Sequence, residues 1–304
     1  MKKPQTFIFM STNIHAEQKP LIYQIGKHVK LVDDATFCKS IIADGKELIT
    51  GEEYGAIRVL ELKDEKVYIT FKEDLTSLAN AFSGCSALKS IPENLFANCP
   101  KATDFSYTFF GCKALTAIPE GLFANNPKVT IFQGTFSYCS ALKSLPANLF
   151  ANNRKVNSFR LTFSGCSALK SIPENLFANC PKVNSSFQTF ALCKSLKSIP
   201  TGLFAHNPEV TDFSGTFSGC SALESISEKL FANNTKVTNF SYTFKNCSAL
   251  IGESPYTMID GQKVHLYERA DYPEHFTTPT STYQAFGNCT GLTDYVQIPT
   301  NWKE

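Results

Sequence analysis

Apolar residues recur with one fixed spacing between residues 78 and 250. A cysteine stands at every 27th position, with a phenylalanine three residues before it and a leucine three residues after it. Residues 83–101 reappear without change as residues 164–182. A fixed period of this length is typical of a solenoid, in which each unit buries its apolar face against its neighbours. The cysteines of the seven units are Cys85, Cys112, Cys139, Cys166, Cys193, Cys220 and Cys247.

The pattern within one unit predicts a strand, a turn and a helix. Residues 87–91 predict a short strand, which Pro92 ends. After a turn, Thr103 is a candidate helix N-cap, and Phe105 and Phe109 follow at a spacing typical of one helix face. Stacking such units predicts an α/β right-handed solenoid with 27-residue units, built from short parallel strands plus helices.

The segment before the repeats has a different pattern. Residues 41–49 predict a hairpin around Asp44-Gly45, and residues 57–71 predict a second hairpin. We therefore expect residues 1–74 to form a small β-rich domain that caps the repeats or attaches the chain to a partner. The repeats then occupy residues 75–250.

The segment after the repeats loses the spacing and later regains it. The cysteine that restores the pattern, Cys289, lies 42 residues after Cys247, and a hairpin around Asp260-Gly261 is predicted between them. A terminal unit must cover the open end of the core, so its sequence is expected to be atypical. Residues 251–304 are therefore predicted to be a C-terminal cap with an inserted hairpin and a last degenerate repeat.

Two further features of the repeats have local consequences. Ser186 stands where most units have phenylalanine, and Phe187 follows it, which predicts a strained or shifted helix in that unit. A recurring asparagine near the turn has two interpretations, a side-chain ladder that satisfies backbone groups or ordinary turn residues. This column consists of Asn98, Asn125, Asn152, Asn179 and Asn233, with His206 in one unit.

The repeating cysteines are expected to be buried free thiols. Stacked units are about 4.8 Å apart, and the parallel side chains of such a column have poor geometry for a disulfide. Free cysteine behaves as a small apolar residue that is readily buried. Cys99 and Cys180 replace a second recurring asparagine and lie three units apart, which is too far for a disulfide.

Composition and charge exclude some partners. The 304 residues carry a net charge of +2, which provides no general attraction to nucleic acid or to a membrane surface. No apolar run approaches the length that spans a bilayer, and the run at residues 7–10 is too short for a signal peptide. We expect either an export signal that has been removed or another route out of the cell.

The motif Thr-Phe-x-x-Cys-x-x-Leu-x-x-Ile-Pro resembles the BspA-type leucine-rich repeats of bacterial surface proteins. Ala81-Phe82 and Ala285-Phe286 match the Ala-Phe form of those repeats. The resemblance covers residues 75–250 and returns at 285–299, although the units are longer than is usual in that family.

The resemblance implies a leucine-rich-repeat fold and a non-catalytic adhesion protein. Such a protein would recognise a host protein or a glycan from an extracellular or cell-surface position. The alternative is a structural phage protein of a tail fibre or baseplate, with residues 1–74 docked to the virion. The oligomeric state and the ligand are not indicated by the repeat.

The sequence offers no catalytic centre. Nucleophilic catalysis needs a Cys or Ser beside a His, and no histidine recurs near the repeating cysteines. No phosphate-binding, dinucleotide-binding or HExxH motif is present, so no cofactor and no enzymatic activity are expected. One set of residues has two interpretations, metal ligands or a solvated polar surface, and the second is favoured because the spacing matches no metal-binding motif. This set is His265, Glu268, Asp271 and His275.

One exposed column of the predicted strands is rich in lysine. A row of lysines about 5 Å apart is a candidate platform for an anionic glycan. The other interpretation, which the nearby glutamates favour, is a charged surface that keeps the protein soluble. The column consists of Lys89, Thr116, Lys143, Lys170, Lys197 and Glu224, and a second column consists of Lys101, Lys128, Lys155, Lys182, Glu209 and Lys236.

Overall fold

The computed structural model describes residues 19–48 and 55–304, so the predicted strand residue Ile49 lies outside the described part. Residues before the repeats form strands and one 3₁₀ turn at Ala35–Phe37. The strands are β1 Leu21–Tyr23, β2 Gly26–Val32, β3 Cys38–Ala43, β4 Lys46–Glu47, β5 Ile57–Leu62, β6 Lys66–Phe71 and β7 Leu88–Ser90.

These strands form two sheets. One sheet has the order β4-β3-β6-β1-β7, and the second is the antiparallel pair β2-β5. The predicted hairpin around Asp44-Gly45 forms between β3 and β4. The second predicted hairpin is wrong because β6 pairs with β1 on one edge and β3 on the other, which leaves no edge for β5. Since β7 belongs to the first repeat, this sheet continues into the repeats.

Backbone hydrogen bonds join each repeat to the next. The N–H groups of Leu78, Asn80, Phe82 and Gly84 donate to carbonyl oxygens 26 residues later, at distances of 2.6–2.9 Å. Isolated parallel bridges also link residues 27 apart, beginning with Ser77 and Asp104, and continue to Asn239. The backbone polar groups of one unit are therefore satisfied by its neighbour.

The helix predicted from Thr103 is wrong. In the described part of the chain the helices are the 3₁₀ turns Ala35–Phe37 and Leu266–Asp271 and the helix α1, Thr300–Lys303. Residues 106–111 instead form consecutive turns, with φ of +55° at Tyr107 and +69° at Gly111. A right-handed helix does not accommodate such residues, and the alternate N–H groups that it would need already donate to the next unit.

The strand predicted at residues 87–91 is only partly present. It forms as β7 in the first unit, whereas later units have single backbone bonds to their neighbours in this column. The amide of Lys143 donates to the Thr116 carbonyl, and that of Lys170 to the Lys143 carbonyl, each at 3.2 Å. The repeats are therefore built mainly from turns held together by bonds between units.

Phenylalanine rings fill the interior in three files that run from unit to unit. Rings three residues before each cysteine stack at 5.2–5.8 Å from Phe82 to Phe286. A second file runs from Phe96 to Phe231, and a third includes Phe105, Phe132 and Phe159. Because each ring contacts rings of the same and the adjacent unit, the aromatic core is continuous.

The unit with Ser186 keeps the same path without a strained helix. Ser186 is buried and shares a 2.9 Å hydrogen bond with Thr189, while Phe187 lies on the surface under the Arg160 guanidinium. Phe177 approaches Phe159 to 4.2 Å, closer than other such pairs, and occupies part of the space that the missing ring would have filled.

Buried side-chain donors form ladders along the same interior. The thiols of six repeat cysteines from Cys112 to Cys247 donate to the carbonyl of the phenylalanine 30 residues earlier, at 3.1–3.4 Å. The hydroxyl of Thr135 donates likewise to the Phe105 carbonyl at 2.9 Å. The eleven cysteines are all buried free thiols, which rules out disulfides between repeats in this structure.

The buried asparagine ladder uses the column next to the one proposed from sequence. Asn126, Asn153, Asn207 and Asn234 are fully buried, and each Nδ2 donates to carbonyls 27 and 30 residues earlier. In the column that contains Asn98, the side chains are exposed and only some reach the preceding unit, as Asn152 does with the Ala124 carbonyl at 3.0 Å. The two proposed roles, ladder and turn, thus fall mainly on different columns.

The last unit ends the ladders with different residues. The hairpin of β8, Tyr256–Ile259, and β9, Gln262–His265, precedes Arg269. The buried guanidinium of Arg269 donates to the carbonyls of Phe231 and Asn234, which are the acceptors that a further asparagine would use. Trp302 contacts Phe240 and so extends the third ring file.

Because the thiols are buried, the free energy of unfolding is expected to fall at alkaline pH. Burial raises the pKa of Cys85, Cys166 and Cys220 to about 12, so the native state retains protons that the unfolded chain loses above about pH 8.5. The stability is therefore complete below that pH and falls as pH rises towards 12, by ~1.4 kcal/mol per pH unit and thiol. Urea unfolding with reductant at pH 7, 8.5 and 10 measures this slope. Cys166→Ala should reduce it by one thiol, and a midpoint that is constant to pH 10 would contradict the burial.

The asparagine ladder is tested by two substitutions at one position. Asn153→Ala leaves the Phe123 and Asn126 carbonyls without this donor and should cost about 1–3 kcal/mol in urea unfolding. Asn153→Cys should cost less because Cys180, at the equivalent position, places its sulfur 3.5 Å from the Asn153 carbonyl. Equal losses for the two variants would show that the thiol introduced by Asn153→Cys does not act as a replacement donor.

Candidate functional site

The lysine column predicted from sequence lies on the surface. Lys89 is half-buried and the other members are exposed. Lys89 lies 3.6 Å from Glu65, and Lys197 lies 3.2 Å from Glu224, so the two ends of the column are partly neutralised. Among the described residues, no carboxylate lies within ion-pair distance of Lys143 or Lys170. These two lysines on adjacent units are the cationic centre of the column.

The second lysine column is also exposed, and its ends are paired. Lys101 lies 2.5 Å from Asp74, and Lys236 lies 2.7 Å from Glu209. Exposed pairs of this kind contribute little to stability. Lys128 and Lys155, in the middle of this column, provide a matched comparison for Lys143 and Lys170.

The four candidate metal ligands named from the sequence do not lie around one point. His265 places Nε2 3.0 Å from Glu253 and Nδ1 3.1 Å from Glu268, which joins the hairpin to the following 3₁₀ turn. His275 instead lies beside Glu274, and Asp271 is exposed. Across residues 19–48 and 55–304, no three His, Cys, Asp or Glu side chains gather in a way that would hold a metal ion.

The cysteines are unsuited to nucleophilic chemistry. Burial raises the pKa of each repeat thiol, including that of Cys289, which rises to about 12. A nucleophilic cysteine needs a lowered pKa and access to substrate, and these thiols have neither. Their role in the structure is to pack and to donate to the preceding unit.

A groove of about 500 Å³ lies over the turns of three units. Its walls include the exposed side chains of Glu93, Glu120, Asn148 and Asn152. Small-molecule sites are mostly enclosed, whereas this groove is open and combines apolar walls with two exposed carboxylates. The groove is therefore not a candidate active site.

Sequence reasoning missed a second surface, which we call the aromatic face. It consists of the residues six, five, two and one positions before each of eight cysteines, the seven repeat cysteines and Cys289. The residues five positions and one position before the cysteine have positive φ in every unit. The residues with this conformation are Asn80, Gly84, Tyr107, Gly111, Gly134, Tyr138, Leu161, Gly165, Gln188, Leu192, Gly215, Gly219, Tyr242, Asn246, Gln284 and Asn288.

Large side chains on this face lie over glycines of the next unit. A Cβ atom on Gly134 would meet the Tyr107 ring at 2.4 Å, and one on Gly165 would meet the Tyr138 ring at 2.7 Å. Leu192 covers Gly219 in the same way, at 2.7 Å. At these three positions the large residue requires glycine at the equivalent position of the following unit, whereas Gln188 follows Leu161 and Gln284 follows Tyr242.

Contacts between units fix the aromatic side chains. The Phe110 ring lies 6.0 Å from the Tyr107 ring and 5.5 Å from the Tyr138 ring. Gln133 Nε2 donates to the Tyr107 hydroxyl at 2.6 Å. The Arg160 guanidinium lies 4.3 Å from the centre of the Phe187 ring. The sequence signal was the alternation of Gly or Ser with Tyr, Phe or Leu at these positions.

Comparison with known proteins identifies the family. The profile described as the BspA type leucine rich repeat region matches residues 65–238 in six copies, which is more than half of the chain. The chain therefore belongs to the BspA-type leucine-rich repeat family, and the fold is a leucine-rich-repeat fold. No curated protein matches it. No helix in residues 19–48 or 55–304 has the length and apolar character needed to cross a membrane.

Solved leucine-rich-repeat structures resemble the chain at low identity. The APL1 leucine-rich repeat domain is 17% identical, with a TM-score of 0.33, over 47% of this chain and 38% of that one. A leucine-rich repeat protein from Bacteroides ovatus is 18% identical, with a TM-score of 0.17, over 62% and 78%. A leucine rich cell surface protein from Faecalibacterium prausnitzii is 20% identical, with a TM-score of 0.24, over 72% and 76%. This chain therefore spans well under half of the APL1 domain.

The pairing of large residues with glycine is tested by a double-mutant cycle. Gly134→Ala places a methyl group against the Tyr107 ring and should cost ~1–3 kcal/mol more in the presence of Tyr107 than in a Tyr107→Gly background. The cost that remains in that background reflects the φ of +61° at Gly134. Urea unfolding of the four proteins measures the coupling, and additive losses would contradict the predicted clash.

Proposed function

We propose that the chain is a non-catalytic recognition protein that acts outside the cell or at its surface. The family to which it belongs is generally associated with binding. The observation that carries the proposal is the lysine column, in which the exposed Lys143 and Lys170 lie on units joined by a backbone bond. Backbone bonds between units hold the main chain of these residues in register, so their side chains present a regular row of positive charge to an extended anionic ligand.

The proposed ligand of this column is an anionic glycan. Lys89, Lys143, Lys170 and Lys197 are equivalent positions of different units, about 4.8 Å apart for each unit. A linear polyanion with repeating charges matches such a row. The adjacent serines Ser144 and Ser171 are exposed and offer hydroxyl groups for hydrogen bonds to sugars.

We further propose that the 27-residue units wind as a right-handed solenoid and that residues 1–74 cap or attach it. Pairing of β1 with β7 supports a cap because it covers the first repeat with a strand from the N-terminal segment. The same contact is compatible with docking to a larger particle, so a virion attachment protein remains the alternative. Genes beside this one would distinguish these roles, because structural phage genes support only the second.

The glycan proposal is tested by reversing two charges. Lys143→Glu with Lys170→Glu should weaken binding to heparan sulfate or polygalacturonate about tenfold at low salt, since two attractive contacts become repulsive. Binding of the unmodified protein should fall as salt rises. Surface plasmon resonance measures both effects.

The matched control is Lys128→Glu with Lys155→Glu, which makes the same charge change on adjacent units of the second column. This control should retain most of the binding. Equal loss in both double variants would indicate a general charge effect, and no binding by the unmodified protein at low salt would end the proposal.

A further inference from the structure

The aromatic face differs in composition from the rest of the chain. Its 32 residues, nine of which are buried, include 21 that are Tyr, Ser, Gly or Asn, and two that are charged, Arg160 and Lys245. Charged residues make up 18% of the whole chain, and none of the 32 is acidic. Depletion of charge with enrichment of aromatic residues and arginine is typical of the core of protein interfaces. Tyr, Ser, Gly and Asn are also the residues in which antibody combining sites are enriched.

Large apolar groups are exposed on this face. Tyr283 is 51% exposed, Tyr138 47%, Leu192 39% and Tyr242 37%. Exposed apolar side chains that form a patch, rather than lying singly, mark interaction sites. The half-buried Phe110 lies between the half-buried Tyr107 and the exposed Tyr138, and Tyr242 and Tyr283 form a second ring pair 5.3 Å apart.

The aromatic side chains are held in place before any ligand arrives. The Tyr107 ring lies against Gly134, and its hydroxyl accepts a hydrogen bond from Gln133 Nε2. The Arg160 guanidinium covers the Phe187 ring. Binding therefore costs little side-chain entropy at these positions. Rigid tyrosines and arginine are also the residue types that contribute most to protein interfaces.

The size of the face fits a protein partner. Eight units separated by seven steps of about 4.8 Å give a length of roughly 34 Å, and a standard interface uses about 20–30 residues on each side. The only charges in these positions are the cations Lys245 and Arg160, and the Arg160 guanidinium also lies 4.0 Å from Asp212. A complementary partner therefore carries a carboxylate opposite Lys245 or the exposed part of Arg160 and an apolar surface elsewhere.

We infer that the aromatic face is a docking surface for a folded protein with an apolar, carboxylate-bearing contact surface. This inference rests on the proposed recognition function and assigns a ligand class to a surface separate from the lysine column. The protein contacts centre on Tyr107, Phe110, Tyr138 and Arg160.

The experiment uses substitutions that the repeats already contain. Phe110→Ser and Tyr138→Gly introduce the residues found at the equivalent positions Ser137 and Gly165, so the fold should tolerate them. The full chain and the double variant are applied to an array of purified secreted proteins and receptor ectodomains, printed native and after enzymatic removal of glycans. Thermal unfolding confirms that the variant is folded. Lys128→Glu with Lys155→Glu is the lysine control, and Lys143→Glu with Lys170→Glu is a separate comparison that reports binding through the lysine column.

The inference predicts a protein on the array that binds the unmodified chain with or without its glycans. The Phe110→Ser, Tyr138→Gly variant should bind that protein at least tenfold more weakly, and the lysine control should bind it unchanged. Binding that disappears with the glycans, binding that depends only on Lys143 and Lys170, or an array on which no protein binds would overturn the inference. So would self-association of the chain that the double variant abolishes.

These outcomes separate the two proposals. A chain that binds polysaccharide through Lys143 and Lys170 but binds no protein leaves the proposed function intact and removes this inference. A chain that binds neither polysaccharide nor protein removes both.

Discussion

The structure depends on hydrogen bonds that one repeat makes to its neighbour. Backbone amides donate to carbonyls 26 residues later, and buried Thr, Cys and Asn side chains donate to carbonyls 30 residues earlier. A single unit has too few internal partners for these groups, and unpaired buried polar groups are costly. The phenylalanine files have the same property, because each ring needs the ring of the adjacent unit. Ordering of one unit therefore supports the next.

Much of this arrangement followed from the sequence, and the part that did not has a clear physical reason. The spacing of Cys85 and its equivalents predicted inward cysteine, phenylalanine and leucine side chains, and these are buried. The helix from Thr103 was wrong because apolar residues at positions 105 and 109 suit a helix face and equally suit consecutive turns. Apolar spacing does not reveal φ, and the positive φ at Tyr107 would have been signalled only by the glycine that replaces it in other units.

The surface was harder to predict than the interior. The exposure of Lys143 and Lys170 could be predicted from their polar character. That no carboxylate of the described residues pairs with them could be seen only from the positions of the neighbouring units. The sequence does not indicate the aromatic face, because each of its tyrosines stands at a position where other units have Gly or Ser. Only the folded chain shows that Tyr107, Phe110 and Tyr138, from two units, touch one another.

Where a large side chain lies over a glycine of the next unit, as Tyr107 and Tyr138 do, it also limits which unit can follow. In the interior every unit presents nearly the same rings and donors, so the core would accept the units in many arrangements. On the surface, deletion of the unit that contains Gly134 would place Leu161 beyond the Tyr107 ring, where a side chain meets it. Surface contacts therefore limit the order of these units, whereas interior contacts stabilise the fold.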